Sequence, residues 1–303
     1  MDRRGFLECM AWAGTGLAWV VSGGVASSSI LGAPRRARAA GTFSFVQVSD
    51  THVGYKGAAN PDPLASLSRT ITLVNALSPA PAFVLHTGDL THAQKAGSFD
   101  TLAESLKALR TSEVFYIPGE HDVFADGGKE FLQRYGRGTV GDGWRSFDYQ
   151  GVHFVGLVNV LSYKSGGMGA LGDAQLAWLK GDLAPLGTST PVVVYSHVPL
   201  WAVYPAWGWV TGDGEQALAL LRRFGSVTVL NGHIHQTLQK VEGTLTFHSA
   251  RSTAFPQPAP GAAPSPGPLT VPADQLGAML GLREVRYTET PGPLAVTDLT
   301  LEG

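Results

Sequence analysis

The sequence predicts an α/β layered fold, and three observations carry that prediction. Short apolar runs alternate with segments whose apolar residues recur at helical spacing. Five of those runs stop at Gly, Ser or Pro and then at His, Asp or Glu: FSFVQVSDTH, FVLHTGDLT, VFYIPGEHD, VVVYSHVP and VTVLNGHIH. Finally, 303 residues at 44% hydrophobic and 15% charged suffice for a core of ordinary size and are too apolar for a disordered chain. One large domain is the expected organisation.

Residues 42–49 read as a buried strand that delivers Asp50 and His52. A helix is predicted over 63–77, since Pro63 suits a first turn and Leu64, Leu67, Ile71, Val74 and Leu77 recur at helical spacing. The run 83–85 is the central strand; Gly88 lets the backbone pass close to a neighbour, and Asp89 follows. Phe99, Leu102, Leu106 and Leu109 predict a helix over 99–110, leading into strand 114–117 and the loop Pro118-Gly119-Glu120-His121-Asp122. Residues 145–159 pattern as a hairpin turning at Gln150-Gly151. A short helix over 173–183 precedes strand 192–195, with Ser196-His197 at its end. An aromatic loop, 201–209, and a helix over about 214–224 come before strand 227–230, which runs into Asn231-Gly232-His233-Ile234-His235. The Pro-, Ala- and Gly-rich stretch 256–272 is a surface loop, and period-two alternation over 282–303 predicts a half-exposed C-terminal β-hairpin.

The N-terminal residues stand apart. Arg3-Arg4-Gly5-Phe6-Leu7 precedes a weakly apolar, Gly/Ala-rich stretch, and Ala37-Arg38-Ala39 is a small-x-small cleavage pattern. The twin arginine resembles a Tat signal. Residues 1–39 are therefore expected to be a leader for the Tat export machinery, and 40–303 a periplasmic or extracellular domain. So many Gly, Ser and Ala make a poor span beside the roughly 20 strongly apolar residues a membrane prefers, so no stable membrane anchor is expected after cleavage. The leader carries five Arg against Asp2 and Glu8, which turns the net charge of -2 into -5 for the mature domain. Nucleic acid is not an expected partner on that balance. The only cysteine, Cys9, lies in the leader, so any metal must be held by His, Asp, Glu or Asn.

Collected in order, the candidate site residues are Asp50, His52, Asp89, Glu120, His121, Asp122, His197, His233 and His235. Singly, each has an ordinary reading, as an Asx turn or a packed histidine. Five clusters placed past strand ends, where ligands of α/β sheets gather, argue otherwise. They read D-x-H, G-D, G-E-H-D, H and G-H-x-H. The chain thereby resembles the calcineurin-like metallophosphoesterase family, whose pattern differs only in having Asn where Glu120 stands, over about residues 43–248. The resemblance implies a four-layer α/β/β/α sandwich of the metallophosphoesterase type with two divalent metal ions, Mn, Fe, Zn or Co, at the strand ends. Carried over by position, it implies Asp50, His52 and His235 at one metal, Glu120, His197 and His233 at the other, and Asp89 bridging. The implied reaction is hydrolysis of a small phosphoester substrate, a phosphodiester or phosphomonoester, by a metal-bridging hydroxide. His121 would stabilise or protonate the departing oxygen, with Asp122 orienting its imidazole.

Glu120 departs from the family pattern and makes the ligand set more negative, which disfavours a phosphate dianion and shifts preference toward a diester or a more highly charged ion. The alternative is that Glu120 swings aside and leaves a weaker second site. Purple acid phosphatases, a branch of the superfamily, have Tyr where this chain has His92, so a tyrosinate-bound ferric ion is not implied, and His92 is read either toward substrate phosphate or as a loop residue. Trp201, Tyr204, Trp207 and Trp209 either line a pocket for an apolar leaving group, base or sugar or cover the core. His248 with Arg251 either approaches the substrate or is structural; His86 and His153 read as structural. Cyclic nucleotides are the second substrate class, since some relatives with this motif set hydrolyse them. A non-catalytic metal- or phosphate-binding protein is the reading from another class, supported by Glu120 and opposed by the retained His121 and Asp122.

Overall fold

The computed structural model describes residues 17–22, 25–30, 41–111, 113–163, 168–288 and 294–302. The chain divides into two units, 1–39 and 40–303. In the first, β1 (Leu17–Ser22) and β2 (Val25–Ile30) pair antiparallel. The twin arginine and the cleavage pattern lie outside the described residues. Among the described residues, no helix is long and apolar enough to cross a membrane.

The second unit begins with β3 (Phe43–Val48), whose alternation divides it between two cores: Phe43 and Phe45 face one, Val46 and Val48 the other. Helix α1 (Pro63–Ala76) is opened by Pro63 and by Asp62, whose carboxylate accepts from Ala65 N at 2.9 Å. Then come β4 (Val84–Thr87), α2 (Ser98–Leu106), β5 (Val114–Ile117), a 3-10 turn at Glu120–Asp122, and α3 (Lys129–Tyr135). The hairpin forms from β6 (Arg145–Tyr149) and β7 (Val152–Gly156), and both turn residues, Gln150 and Gly151, are left-handed. After α4 (Asp173–Leu183), β8 (Val192–Ser196), α5 (Gly214–Leu221) and β9 (Val227–Asn231) come β10 (Leu238–Glu242), β11 (Leu245–Ser249), α6 (Ala273–Met279), β12 (Gly281–Tyr287) and β13 (Ala295–Thr300). Residues 256–272 contain neither helix nor strand.

These strands make a five-stranded sheet, β13-β12-β3-β4-β5, and a six-stranded one, β10-β11-β9-β8-β7-β6. Between them lies an aromatic core in which Phe45, Phe83 and Phe154 meet at 5.2–5.3 Å centroid distances. On the outer face of the six-stranded sheet, Leu176, Leu179, Leu183, Leu218 and Leu221 of α4 and α5 pack on Val192, Val194, Val227 and Val229. Leu67, Ile71, Val74, Phe99 and Leu102 of α1 and α2 cover the outer face of the other. The result is the four-layer α/β/β/α order. β3, β4 and β5 run parallel, as do β7, β8, β9 and β11, so their C-terminal ends collect on one edge.

Two features depart from the sequence reading. β12 is not half-exposed; it pairs antiparallel with both β3 and β13, which buries Leu282, Arg283 and Val285. Helix α2 ends at Leu106 rather than near residue 110, because Lys107, Ala108 and Leu109 donate to carbonyls three residues back and tighten the last turn.

His153 on β7 proves structural. Its Nδ1 lies 2.8 Å from Asp148 Oδ1 and its Nε2 2.9 Å from Asp182 Oδ2, tying β6 to α4. Burial pulls its pKa down, but Asp182 and Asp148 outweigh burial and hold it above the ordinary value. A raised folded-state pKa means that the stabilisation is complete below the unfolded value of about 6.5 and fades as pH climbs through the folded value. A His153→Gln variant is therefore expected to melt furthest below wild type at about pH 5.5 and to converge on it at about pH 9. Parallel melting curves at every pH would assign the loss to packing alone.

Candidate metal centre

The sheet edge receives every ligand-type cluster named from the sequence. Asp50 and His52 follow β3, Asp89 follows β4, Glu120 follows β5, His197 follows β8, and His233 and His235 follow β9. All seven are buried. Five of them sit in the left-handed region, with φ of 54° at Asp50, 39° at His52, 50° at Asp89, 69° at His233 and 54° at His235. Such conformations cost about 1–3 kcal/mol each in a non-glycine residue, and their concentration here marks a functional site. Local bonds hold them: Asp50 N and His52 N donate to the carbonyls of Gly88 and Asp89 at 3.0 and 2.9 Å, and Ser252 Oγ donates to Asp50 O at 2.7 Å. Gly119 is required by close approach, because a Cβ there would overlap the Asp89 carboxylate; one on Gly88, at φ 96°, would meet the His197 ring.

The side chains converge in two groups around Asp89. In the first, His235 Nε2 lies 3.2 Å from Asp50 Oδ1 and 3.2 Å from His52 Nε2, which is 3.5 Å from Asp89 Oδ2. In the second, His197 Nε2 lies 2.9 Å from Glu120 Oε2 and His233 Nδ1 3.1 Å from Glu120 Oε1. His197 Nε2 is also 3.5 Å from Asp89 Oδ2, so Asp89 reaches both groups. Glu120 thus stands among the histidines rather than aside. Although close, Glu120 Oε2, His197 Nε2 and His233 Nδ1 have no hydrogen-bond partner, and all three are buried. Buried polar atoms crowded together without hydrogen bonds are what a cation-binding donor set presents, and mixed imidazole and carboxylate donors suit transition-metal dications.

Burial and the mutual charges of the cluster shift its titratable groups in opposite directions. Burial raises Asp89 well above the usual carboxylate range, and the nearby Glu120 pushes the same way against His197. Burial also opposes ionisation of Glu120, but His233 and His197 hold it well below its ordinary value. His197 is lowered by burial yet held well above its usual value by Asp89 and Glu120. His52 is driven well below by burial, with His121 and His235 adding to the effect.

A cleft of about 270 Å³ opens over this cluster. His52, Asp89, Glu120, His121, His233 and His235 form part of its lining, and so does His92. His121 stacks on His92 at 4.6 Å, and its backbone N–H donates to Asp89 Oδ1 at 2.9 Å. Asp122 does not orient the His121 imidazole. Its oxygens instead accept from Leu90 N, Thr91 N, Thr91 Oγ1 and Gly119 N at 2.8–3.0 Å, so this buried carboxylate shapes the loops that carry Asp89 and Glu120.

Other residues named from the sequence fall elsewhere. Trp201 packs against Phe247 at 5.8 Å, on the helix-covered side of the six-stranded sheet. Trp207 stands behind Trp209, edge-on at 5.0 Å, and Tyr204 stands behind Trp207; of this loop Trp209 borders the cleft. His248 lines a separate depression with Arg283 and Asp298, and Arg251 donates to Ala278 O; neither borders the cleft. His86 is a core residue whose Nε2 lies 3.1 Å from Thr51 Oγ1. The sequence reading missed Phe124, Tyr163, Phe255, Gln257 and residues 266–268, which complete the cleft walls from loops distant in sequence.

Two sheets that bring histidines and carboxylates together at one edge make a candidate metal centre, and its class comes from the family to which the sequence belongs. The chain belongs to the calcineurin-like phosphoesterase family, whose model matches residues 43–237. It is 27% identical to the serine/threonine-protein phosphatase CPPED1 of Danio rerio, over 65% of this chain and 71% of that one. Identity to the probable cyclic nucleotide phosphodiesterase of Rhodopseudomonas palustris is 26%, over 70% of this chain and 78% of the relative. Among solved structures, a dimetal phosphatase from Danio rerio superposes with a TM-score of 0.61 at 14% identity, covering 84% of this chain and 98% of the other. The chain is therefore a hydrolase acting on phosphoesters, in a family that depends on two metal ions.

Proposed function

We propose that this chain is an exported, binuclear metal-dependent phosphoesterase acting on a small organic phosphate, with a phosphodiester preferred over a monoester. The convergence of two ligand triples, Asp50–His52–His235 and Glu120–His197–His233, on the shared Asp89 carries the reading. Two divalent ions, Mn, Fe, Zn or Co, would supply an acidified water and neutralise the phosphoryl oxygens. The chain's own residues do the rest. Asp89 holds the two ligand groups in register, and Asp122 fixes the loops beneath them. His121 faces the cleft beside them, placed to donate a proton or hydrogen bond to the departing oxygen. Phe124, Tyr163 and Phe255 wall the cleft with apolar surface suited to an uncharged leaving group, with the fully buried Trp209 packed behind that wall.

Diester preference follows from Glu120. Its carboxylate replaces the family's neutral amide, so the ligand set carries one more negative charge and repels a phosphate dianion more than a diester monoanion. The test is turnover of bis-p-nitrophenyl phosphate against p-nitrophenyl phosphate by protein reconstituted with each metal, with metal content measured in the same samples. A diester preference with two ions bound is expected, and Glu120→Asn is expected to tighten binding of inorganic phosphate. Monoester preference would retain the enzyme and remove the charge argument. Cyclic nucleotides are the alternative substrate class, favoured by the Rhodopseudomonas relative. Export rests on the twin arginine and the small-x-small pattern of the leader, and fractionation of cells expressing the chain with Arg3-Arg4 intact or changed to Lys-Lys tests it.

A further inference from the structure

We propose that His92 is a positioning residue: it accepts a hydrogen bond from His52 and fixes that histidine in the tautomer that presents Nε2 to the metal cluster. The inference rests on reading Asp50, His52 and His235 as one ligand set. Three of the buried histidines aim Nε2 into the cluster, and in each the opposite nitrogen has a partner behind it. His197 Nδ1 lies 2.7 Å from Thr87 O and His235 Nδ1 2.6 Å from Phe255 O. A carbonyl can only accept, so both rings carry their proton on Nδ1 and leave Nε2 free as a donor of electrons. At His52 the equivalent place is taken by another imidazole, with His92 Nδ1 3.2 Å from His52 Nδ1.

Two facing ring nitrogens make a hydrogen bond only if one is protonated. If His52 Nε2 ligates, the proton between them belongs to His52 Nδ1, and His92 Nδ1 must be the acceptor. The His92 proton then sits on Nε2. Packing prevents the ring from turning away: His92 stacks on His121 at 4.6 Å and 20°, meets the Tyr55 edge at 5.1 Å, and has its backbone N–H bonded to Val53 O at 2.9 Å. His92 follows the bridging-type Asp89 by three residues, so the segment that delivers the shared carboxylate also sets the orientation of a ligand in the first group.

Titration of metal-free protein with Mn²⁺, followed by calorimetry and chelator competition, tests this in wild type, His92→Phe and His92→Asn. Phe keeps the stacked ring without an acceptor, whereas Asn places an amide oxygen near the former Nδ1. Expected are two ions in wild type, about 10–100-fold weaker binding of one ion in His92→Phe with the other unchanged, and recovery of most of that loss in His92→Asn. Wild-type affinity in His92→Phe, or equal loss in both variants, would overturn the proposal. In zinc-loaded wild type, nitrogen-resolved NMR is expected to find the shared proton on His52 Nδ1, and finding it on His92 Nδ1 would overturn the proposal without any variant. A wild type that takes up no ion would instead overturn the metal reading itself.

Discussion

Replacing His121 by Ala is expected to lower kcat by about 10²–10⁴-fold, the range for loss of a positioned general acid, while two metal ions remain bound. His121 contributes to the ligand framework through its backbone N–H, which holds Asp89 Oδ1 at 2.9 Å, and alanine keeps that bond. Its imidazole stands at the cleft wall, stacked on His92 and edge-on to Phe124 at 5.4 Å. Its buried Nδ1 has no hydrogen-bond partner within the protein. Parallel measurement of kcat, KM and metal content separates the possibilities. Loss of metal together with turnover would make His121 a ligand, for which its nearness to Asp89 and Glu120 gives grounds. Unchanged turnover would remove its imidazole from the chemistry and leave protonation of the departing oxygen to another group or to water.

The difference between His121 and Asp122 shows what a sequence carries and what it withholds. Both follow a strand end that was legible, because an apolar run stopping at a Gly before ligand-type residues can be read from residue order alone. The ligand groups were legible for the same reason: parallel strands deliver their C-terminal residues to one edge. Which atoms a carboxylate bonds once there was not. Asp122 meets the amides of Leu90, Thr91 and Gly119, and that choice depends on how two loops pass each other. The aromatic loop was opaque in the same way. Trp201 and Trp209 are both large and apolar and lie outside any periodic element, yet one reached the helix-side core and the other the cleft. The walls drawn from Phe124, Tyr163, Phe255 and residues 266–268 depend on non-local packing, as does the insertion of β12 beside β3.

That insertion leads to the largest stability effect expected. β12 brings Arg283, 1% exposed, into the space between the sheets. Its guanidinium meets Asp298 Oδ1 at 2.7–2.9 Å on the neighbouring β13, Gln47 Oε1 at 3.3 Å on β3, and Ser249 O at 2.8 Å at the end of β11 in the opposite sheet. Gln47 continues the chain of bonds, donating to Thr87 Oγ1 at 3.0 Å and to Asn231 O at 3.2 Å. Thr87 in turn donates to Ser49 Oγ at 2.7 Å. These residues lie one to three positions before Asp50, Asp89 and His233, so the network clamps the two sheets directly beneath the site. An Arg283→Met variant fills much of the volume but leaves Gln47 Oε1 and Ser249 O without their donor, at about 1–3 kcal/mol for each unsatisfied buried group. A loss of roughly 2–4 kcal/mol is expected in urea unfolding after some relaxation, with Arg283→Lys recovering little because an ammonium cannot span three acceptors in a planar fork. Replacement of a buried ion pair by apolar residues is sometimes neutral, which sets the contrary outcome clearly. If Arg283→Met unfolds within about 0.5 kcal/mol of wild type, the network adds no net stability, and its desolvation cost offsets its bonds. A full loss in Arg283→Met with partial loss in Asp298→Ala would instead place the weight on the bonds to Gln47 and Ser249, because Asp298 retains 29% of its side-chain exposure and gives up less on release.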